Sequence, residues 1–314
     1  MNSVSILALH IRFLLIVLVL TSDSIFSRES IAVSESGTEK RDIEVLISVL
    51  SRRSAFDNRQ AIRETWASGH NNVVFVVGSC CPIKTNHRHS PRTCTRKYPS
   101  SHNTQSLMDK QCAEEDKLLA KEQERYNDVN IMDGYDVYRY LPQKLKFIYQ
   151  WGLQHTTARW FVKADDDQFI RVHSLVAMLK FKYNPSKHTV IGKLRKNNDV
   201  RRSGKWIEVL YKKDSWNNAT YPTFPVGSAS HTVSWGVASY IAKNADNLTD
   251  YNGEDTSLGI WIDEAPFGRR IKWVDSQLYL GDHKNCNDTS LLVIGHKIWP
   301  QKMRECYAHG DEVV

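Results

Sequence analysis

The chain has 314 residues, 41% of them hydrophobic, enough to bury one large core or two modest ones. Its formal charge of +7 and pI near 9.0 come from Lys and Arg spread along the whole length. With no basic tail and no periodic basic stripe, nucleic-acid binding is not indicated, whereas an enzyme handling an anionic nucleotide, or working at a membrane surface, fits this balance.

Val4 to Leu20 is mostly apolar, with an unbroken run from Phe13 to Leu20 and Arg12 on its amino-terminal side. That pattern reads as a secretory targeting segment, assigned to residues 1–26. Arg12 and His10 leave it short for a span, which takes about 20 apolar residues. Ser22 and Ser24 are small enough for a cleavage site, so a short N-terminal membrane anchor and a cleaved signal both stand. In either case Arg12 holds its end on the cytoplasmic side and sends the bulk of the chain into the lumen. Residues 27–41, rich in Ser and Glu, read as a short stem, and the lumenal domain is assigned to 42–314.

Within that domain Ile43 to Leu50 is a strong strand candidate. A turn at Ser51-Arg52-Arg53-Ser54 follows, then a helix near Asn58 to Trp66. On this helix Arg59 and Arg63 lie four apart, as do Ile62 and Trp66, giving one cationic and one apolar face. Val73 to Val77 predicts a second strand, ended by Gly78. From Ser79 to about Glu115 the periodicity disappears and Cys, Pro, His, Ser and Arg dominate, which reads as a Cys-rich, disulfide-tied insertion over 79–115. The six cysteines, Cys80, Cys81, Cys94, Cys112, Cys286 and Cys306, include no CxxC pair and no zinc-finger histidine spacing. Disulfides are therefore expected rather than a zinc cage. Fifteen pairings are possible for six cysteines, and vicinal Cys80 and Cys81 are poor partners for each other.

Regular pattern returns with a helix over Lys117 to Tyr126 and a strand over Val129 to Met132. Pro142 is expected to start a helix that turns Leu145, Ile148 and Tyr149 to the sheet and its Lys and Gln residues to water. Trp160 to Val162 forms a strand that empties into Asp165-Asp166-Asp167, and Val172, Leu175, Met178 and Leu179 fall at helical spacing. Alternating strands and helices argue for a mostly parallel α/β sheet. The later part is mixed, with short strands expected at Trp206 to Leu210 and at Thr232-Val233, a substrate half attached to a nucleotide half. Asn218, Asn247 and Asn287 each begin a glycosylation acceptor tripeptide, in keeping with a lumenal location.

Three carboxylates delivered to the carboxyl end of a strand place hard oxygen ligands where open α/β sheets bind their ligands. A solvated acidic turn is the bland alternative. Gly253-Glu254-Asp255 precedes the apolar run Leu258 to Trp261, so its carboxylates sit at a helix start, where they serve either as a base or as simple caps. Leu292 to Gly295 is a strand emptying into His296, a candidate metal ligand or a core histidine.

Arg59 to Trp66 resembles the RxxIRxTW signature of the β-1,3-galactosyltransferase and β-1,3-N-acetylhexosaminyltransferase family of inverting glycosyltransferases. Glu124 to Val129 with Asp133 to Lys144, Lys163 to Asp167, Tyr221-Pro222 with Gly227-Ser228, and Glu254-Asp255 are similar to its further blocks, in the same order. Arg202 to Glu208 and Tyr251 to Trp261 look most like the β-1,3-N-acetylgalactosaminyltransferase type 2 branch. The resemblance implies a GT-A (Rossmann-like) fold with a mixed central sheet and a UDP-galactose or UDP-N-acetylgalactosamine donor. It also implies a manganese ion (Mn2+), and inverting hexosyl transfer to the 3-hydroxyl of a glycan or glycoprotein acceptor in β linkage. Its members are type II single-pass proteins of the Golgi or endoplasmic reticulum membrane that act in protein glycosylation. By position, Asp255 would be the base. Asp167, with Asp165 and His296, would ligate manganese, and Lys163, Asp165, Asp166, Arg59 and Arg63 would serve the nucleotide. For Arg59 and Arg63 a structural role anchoring the helix fits equally well.

An inverting displacement needs one carboxylate base and no covalent nucleophile. A glycoside hydrolase would also use two carboxylates, but it needs neither the triplet nor a metal. The chain departs from the family pattern at Ala229-Ser230-His231 and at Thr256. These departures keep a catalytically silent UDP-sugar or glycan binder as the alternative.

Overall fold

The computed structural model describes residues 40–81, 94, 102–204, 206–211, 219–281 and 285–308. The targeting segment, almost all of the stem and much of the Cys-rich stretch lie outside these residues. Among the described residues no helix is long and apolar enough to cross a membrane.

Four strands carry the nucleotide-side pattern read from the sequence: β1 (Val45–Leu50), β2 (Val73–Ser79), β3 (Val129–Tyr135) and β4 (Trp160–Asp165). They pair in parallel, in the spatial order β4-β1-β2-β3. Every residue of β1 is buried because both faces of the sheet are covered, which is why its sequence is a continuous apolar run rather than an alternation. Successive residues still go to opposite sides. Val45, Ile47 and Val49 join one core with Trp160, Val162 and Ala164, while Leu46 and Leu50 join the other with Phe161.

On the first side lie Ala61 and Ile62 of α1 (Phe56–Glu64), Leu175 and Leu179 of α4 (Val172–Lys182), and Met303 and Cys306 of α7 (Pro300–Ala308). The second side is covered by α3 (Leu141–His155), α5 (Trp235–Lys243) and α6 (Glu254–Asp263). The chain crosses from β3 back past β1 to β4, so the order reverses between β1 and β4, the place where open α/β sheets hold their ligands.

Beyond β4 the sheet continues through β9 (His231–Ser234), β6 (Thr189–Gly192) and β10 (Lys272–Asp275). Strand β9 runs antiparallel to both neighbours, so the seven-stranded sheet is mixed. Two small sheets edge it: β11 (Tyr279–Leu280), β12 (Val293–Ile294) and β5 (Phe169–Ile170) in one, β7 (Leu194–Arg195) and β8 (Phe224–Pro225) in the other.

Several expectations are corrected. Helix α2 spans His102–Tyr126, so it begins earlier than expected and takes in the end of the expected insertion, from His102 to Glu115. Gly78 does not end β2. The strand passes through it because a side chain there would meet Asp136 N and Gly134 O at 2.8 Å, and only glycine allows β3 this close. Lys144 and Lys146 do not face water. Lys144 Nζ donates to Ser51 O at 2.8 Å and to Asp136, and Lys146 Nζ to Ala245 O and Leu248 O at 2.8 Å, so both ammonium groups are satisfied inside the protein. Residues Trp206 to Leu210 form no strand. Glu208 Oε1 accepts from Leu210 N at 2.6 Å and Tyr211 N at 3.2 Å, occupying donors a ladder would need.

Disulfides join Cys80 to Cys112, Cys81 to Cys94 and Cys286 to Cys306, and the vicinal pair is not bonded to itself. Asn247 and Asn287 are exposed, as glycosylation acceptors must be, while Asn218 lies outside the described residues.

Candidate active site

A cleft of about 1010 Å³ opens at the carboxyl ends of β1 and β4. Leu50 and Asp165 are register partners there, so the Ser51–Arg53 turn and the aspartate triplet emerge side by side. The antiparallel β9 brings a third segment to the same edge, since His231 pairs with Lys163. Helix α6 adds the fourth wall through Gly253, Glu254 and Asp255.

The three aspartates make different contacts. Lys163 and Asp165 are two apart on one face, and Lys163 Nζ lies 2.8 Å from Asp165 Oδ1. The same ammonium donates to Glu254 Oε1 and to Gly227 O, both at 3.0 Å, so a fully buried lysine has three acceptors for its three protons. Burial alone would lower its pKa, but Asp165 and Glu254 outweigh burial and raise it. Burial, with repulsion from Glu254 and Asp167, pushes Asp165 up to about 7 against the pull of Lys163.

Asp166 points the other way. Its Oδ2 accepts from Ser51 Oγ at 2.8 Å and Arg52 N at 3.2 Å, and Asn58 Nδ2 donates to its carbonyl at 3.1 Å, which fastens the β1–α1 turn to β4. Burial raises its carboxyl in spite of these bonds. Asp167 reaches the His296 segment, with Oδ2 accepting from Lys297 N at 3.1 Å and its carbonyl from Ile298 N at 2.9 Å. His296 lines the same cleft, its Nδ1 3.2 Å from Gly281 O.

Asp255 stands in the first turn of α6, where the helix dipole favours the anion. Gly253 at the N-cap makes no side-chain cap; instead Asp255 Oδ1 accepts from Thr256 N at 2.8 Å and Oδ2 from Gly227 N at 3.2 Å. A side chain on residue 227 would meet Glu254 Oε1 at 3.0 Å and Asp255 Oδ2 at 3.2 Å, which is why glycine stands there. Burial and Glu254 push Asp255 up to about 6, against those two amides and Lys163.

The structure therefore brings Lys163, Asp165, Asp166, Asp167, Asp255 and His296 to one place. Arg59 and Arg63 are not among the residues that line the cleft. Arg59 is fully buried and holds Glu122 by Nε at 2.9 Å and Nη2 at 2.7 Å, while Arg63 pairs with Glu122 and Asp128. Two site residues escaped the sequence reading of roles. Glu254 shares Lys163 with Asp165, and the quoted Glu254-Asp255 pair was its only sequence signal. Gln168 receives Asp165 N at 2.8 Å and Ser230 Oγ, and donates to Ser228 O at 2.7 Å. That side chain stitches the departing Ala229-Ser230-His231 segment to the aspartates. His231 itself is buried against the Tyr149 hydroxyl, at 3.3 Å, and burial with the nearby Lys163 holds it well below the usual imidazole range.

The galactosyltransferase family model matches residues 107–270, just over half of the chain, and the Arg59 to Trp66 block falls outside that match. Among curated proteins, UDP-GalNAc:beta-1,3-N-acetylgalactosaminyltransferase 2 of Xenopus tropicalis is 34% identical over 47% of this chain and 29% of its own. The protein of the same name from Homo sapiens is 34% identical over 48% of this chain and 29% of its own. Hydroxyproline O-galactosyltransferase GALT2 of Arabidopsis thaliana is 27% identical over 76% of this chain and 31% of its own. The chain thus spans about a third of the length of the curated relatives it matches.

Proposed function

The chain belongs to the galactosyltransferase family, and on that premise we propose that it is an inverting hexosyltransferase with a GT-A fold. It takes galactose or N-acetylgalactosamine from a UDP-sugar and places it in β linkage on the 3-hydroxyl of a glycan carried by a glycoprotein. The observation that carries this reading is the meeting of Asp255, from the start of α6, with the carboxylates of β4 across one cleft at the point where strand order reverses.

Asp255 accepts the proton of the acceptor hydroxyl. The hydroxyl oxygen then forms its bond to the anomeric carbon from the side opposite UDP, the bond to the UDP oxygen breaks, and the anomeric configuration inverts. Gly227 N and Thr256 N hold the Asp255 carboxylate in place for this step. Lys163 keeps Asp165 and Glu254 together beneath the floor of the cleft. The β1–α1 turn, held by Asp166, lies where the nucleotide enters.

The carboxylates of Asp165 and Asp167 and the imidazole of His296 are a donor set that suits Mn2+, and all three line the cleft. No group of three or more His, Cys, Asp or Glu side chains is arranged to hold a metal among the described residues. Small divalent cations are commonly held by one or two carboxylates plus substrate phosphates, so the set fits without a closed cage. When bound, the ion would offset charge on the departing diphosphate. The disulfides suit an oxidising lumen, and we extend the proposal to a Golgi or endoplasmic reticulum protein held by the 1–26 segment.

A donor screen tests the proposal: the purified protein, Mn2+, a methyl β-N-acetylglucosaminide acceptor, and UDP-galactose, UDP-N-acetylgalactosamine and UDP-N-acetylglucosamine in turn. Transfer from one of the first two, with a β1-3 product by NMR, is expected. UDP binding with no transfer or UDP-sugar hydrolysis from any donor would replace the transferase with a silent binder.

A further inference from the structure

The cleft is also lined by residues that neither the aspartate motif nor the base motif accounts for. They are Tyr138, Arg195, Asn198, Asp199, Arg201 and Trp206. Trp206 lines the cleft and is 48% exposed. Its indole Nε1 donates to the Tyr138 hydroxyl at 3.1 Å, and the Arg201 guanidinium lies 5.3 Å from the ring centroid. The indole is thus held by its one polar atom and by a cation, and its apolar surface borders the cleft.

The segment carrying Trp206 is tied to the base. Glu208, two residues on, is buried, and its Oε2 accepts from Asn252 N at 2.7 Å; Asn252 Nδ2 returns a bond to Ile207 O at 2.8 Å. Asn252 lies just ahead of Glu254 and Asp255, so the Trp206 segment and the amino end of α6 form one hydrogen-bonded unit. Tyr138 completes the link from the other side. Burial and the negative charges of Glu254 and Asp255 push its phenol up to about 12, so the hydroxyl that holds the indole lies within the field of the base.

A pyranose ring has one face of C–H groups that packs on an aromatic ring and a rim of hydroxyls that needs donors and acceptors. Trp206 offers the first, and Arg195, Asn198, Asp199 and Arg201 offer the second. We propose that Trp206 is the platform for the acceptor sugar, a specificity residue that receives the C–H face of a pyranoside and presents its hydroxyl to Asp255. This rests on the transferase reading for its orientation, but glycoside binding by Trp206 is measurable without turnover.

The test uses wild-type protein with Trp206→Ala and Trp206→Phe, and methyl β-N-acetylglucosaminide and methyl β-galactoside as probes. Binding is read by saturation-transfer NMR, UDP affinity by calorimetry, and acceptor KM and kcat separately. Trp206→Ala should weaken glycoside binding and raise acceptor KM on the order of tenfold. UDP affinity and Tm should stay at wild-type values, and Trp206→Phe should recover most of the binding. Unchanged glycoside affinity in Trp206→Ala, a parallel loss of UDP affinity, or no binding of either glycoside to the wild type would overturn the assignment. Trp206-dependent glycoside binding with no sugar transfer would instead sink the transferase reading and leave the platform standing.

Discussion

At Asp255 burial and Glu254 favour the neutral acid, while two backbone amides and Lys163 favour the anion, and the balance leaves its pKa near 6. A base must be ionised to accept a proton, so kcat/KM should fall tenfold per unit below about pH 6 and level off above it, a profile measurable by UDP release between pH 4.5 and 8. A flat profile across that range would exclude Asp255 as the titrating base. Asp255→Asn keeps the size and one of the two amide contacts, its NH2 replacing the other acceptor oxygen, and cannot take the proton; it should lower kcat by roughly 10²–10⁴ while UDP affinity by calorimetry is kept. At this scale the sequence was informative where side chains are spaced along one element. The triplet, Glu254-Asp255 and His296 could all be seen, but Lys163 binding Glu254 across 91 positions could not, because only strand alternation and the packing of α6 bring them together.

Helix α2 shows why one element was half missed. Its buried face is Glu115, Leu119 and Glu122, a helical spacing with one apolar residue, so no hydrophobic periodicity announces it. The face is instead charged and complementary: Glu115 faces Arg53 at 3.5 Å, and Glu122 takes both Arg59 and Arg63. The RxxIRxTW block therefore does structural work, with its arginines answering the helix that follows β2. Arg59→Ala leaves Glu122 with Arg63 alone and takes the donors from Ser51 Oγ, Arg52 O and Arg53 O, so it should cost about 3–5 kcal/mol in chemical denaturation. If Arg59→Ala were within about 1 kcal/mol of wild type, the buried pair would not anchor α2. The strand expected at Trp206 to Leu210 failed for a related reason: its β-prone composition is overridden by the Glu208 carboxylate, a tertiary choice invisible in a local pattern.

For the whole molecule, alternation of strands and helices pointed to the layered plan and the resemblance to a mixed sheet, while the place of β9 between β4 and β6 required the structure. Helix α7 packs beside α1 in the core that also holds Leu291 to Ile294, and the Cys286–Cys306 disulfide spans the segment carrying His296 between them. That bridge closes a loop of separation 20, a length for which removing the cross-link should cost about 3 kcal/mol. In a domain of this size the loss corresponds to a fall in Tm of roughly 5 °C for the Cys286→Ser, Cys306→Ser variant in a thermal scan. Because His296 and the Asp167 contact to Lys297 lie inside the loop, while Lys163, Asp166 and Asp255 lie outside it, the loss should be uneven. Any gain in UDP affinity on adding Mn2+ should weaken in this variant, and metal-free UDP affinity at 10 °C should not. Equal loss of both would mean that the bridge supports the nucleotide side of the sheet as a whole rather than the His296 segment.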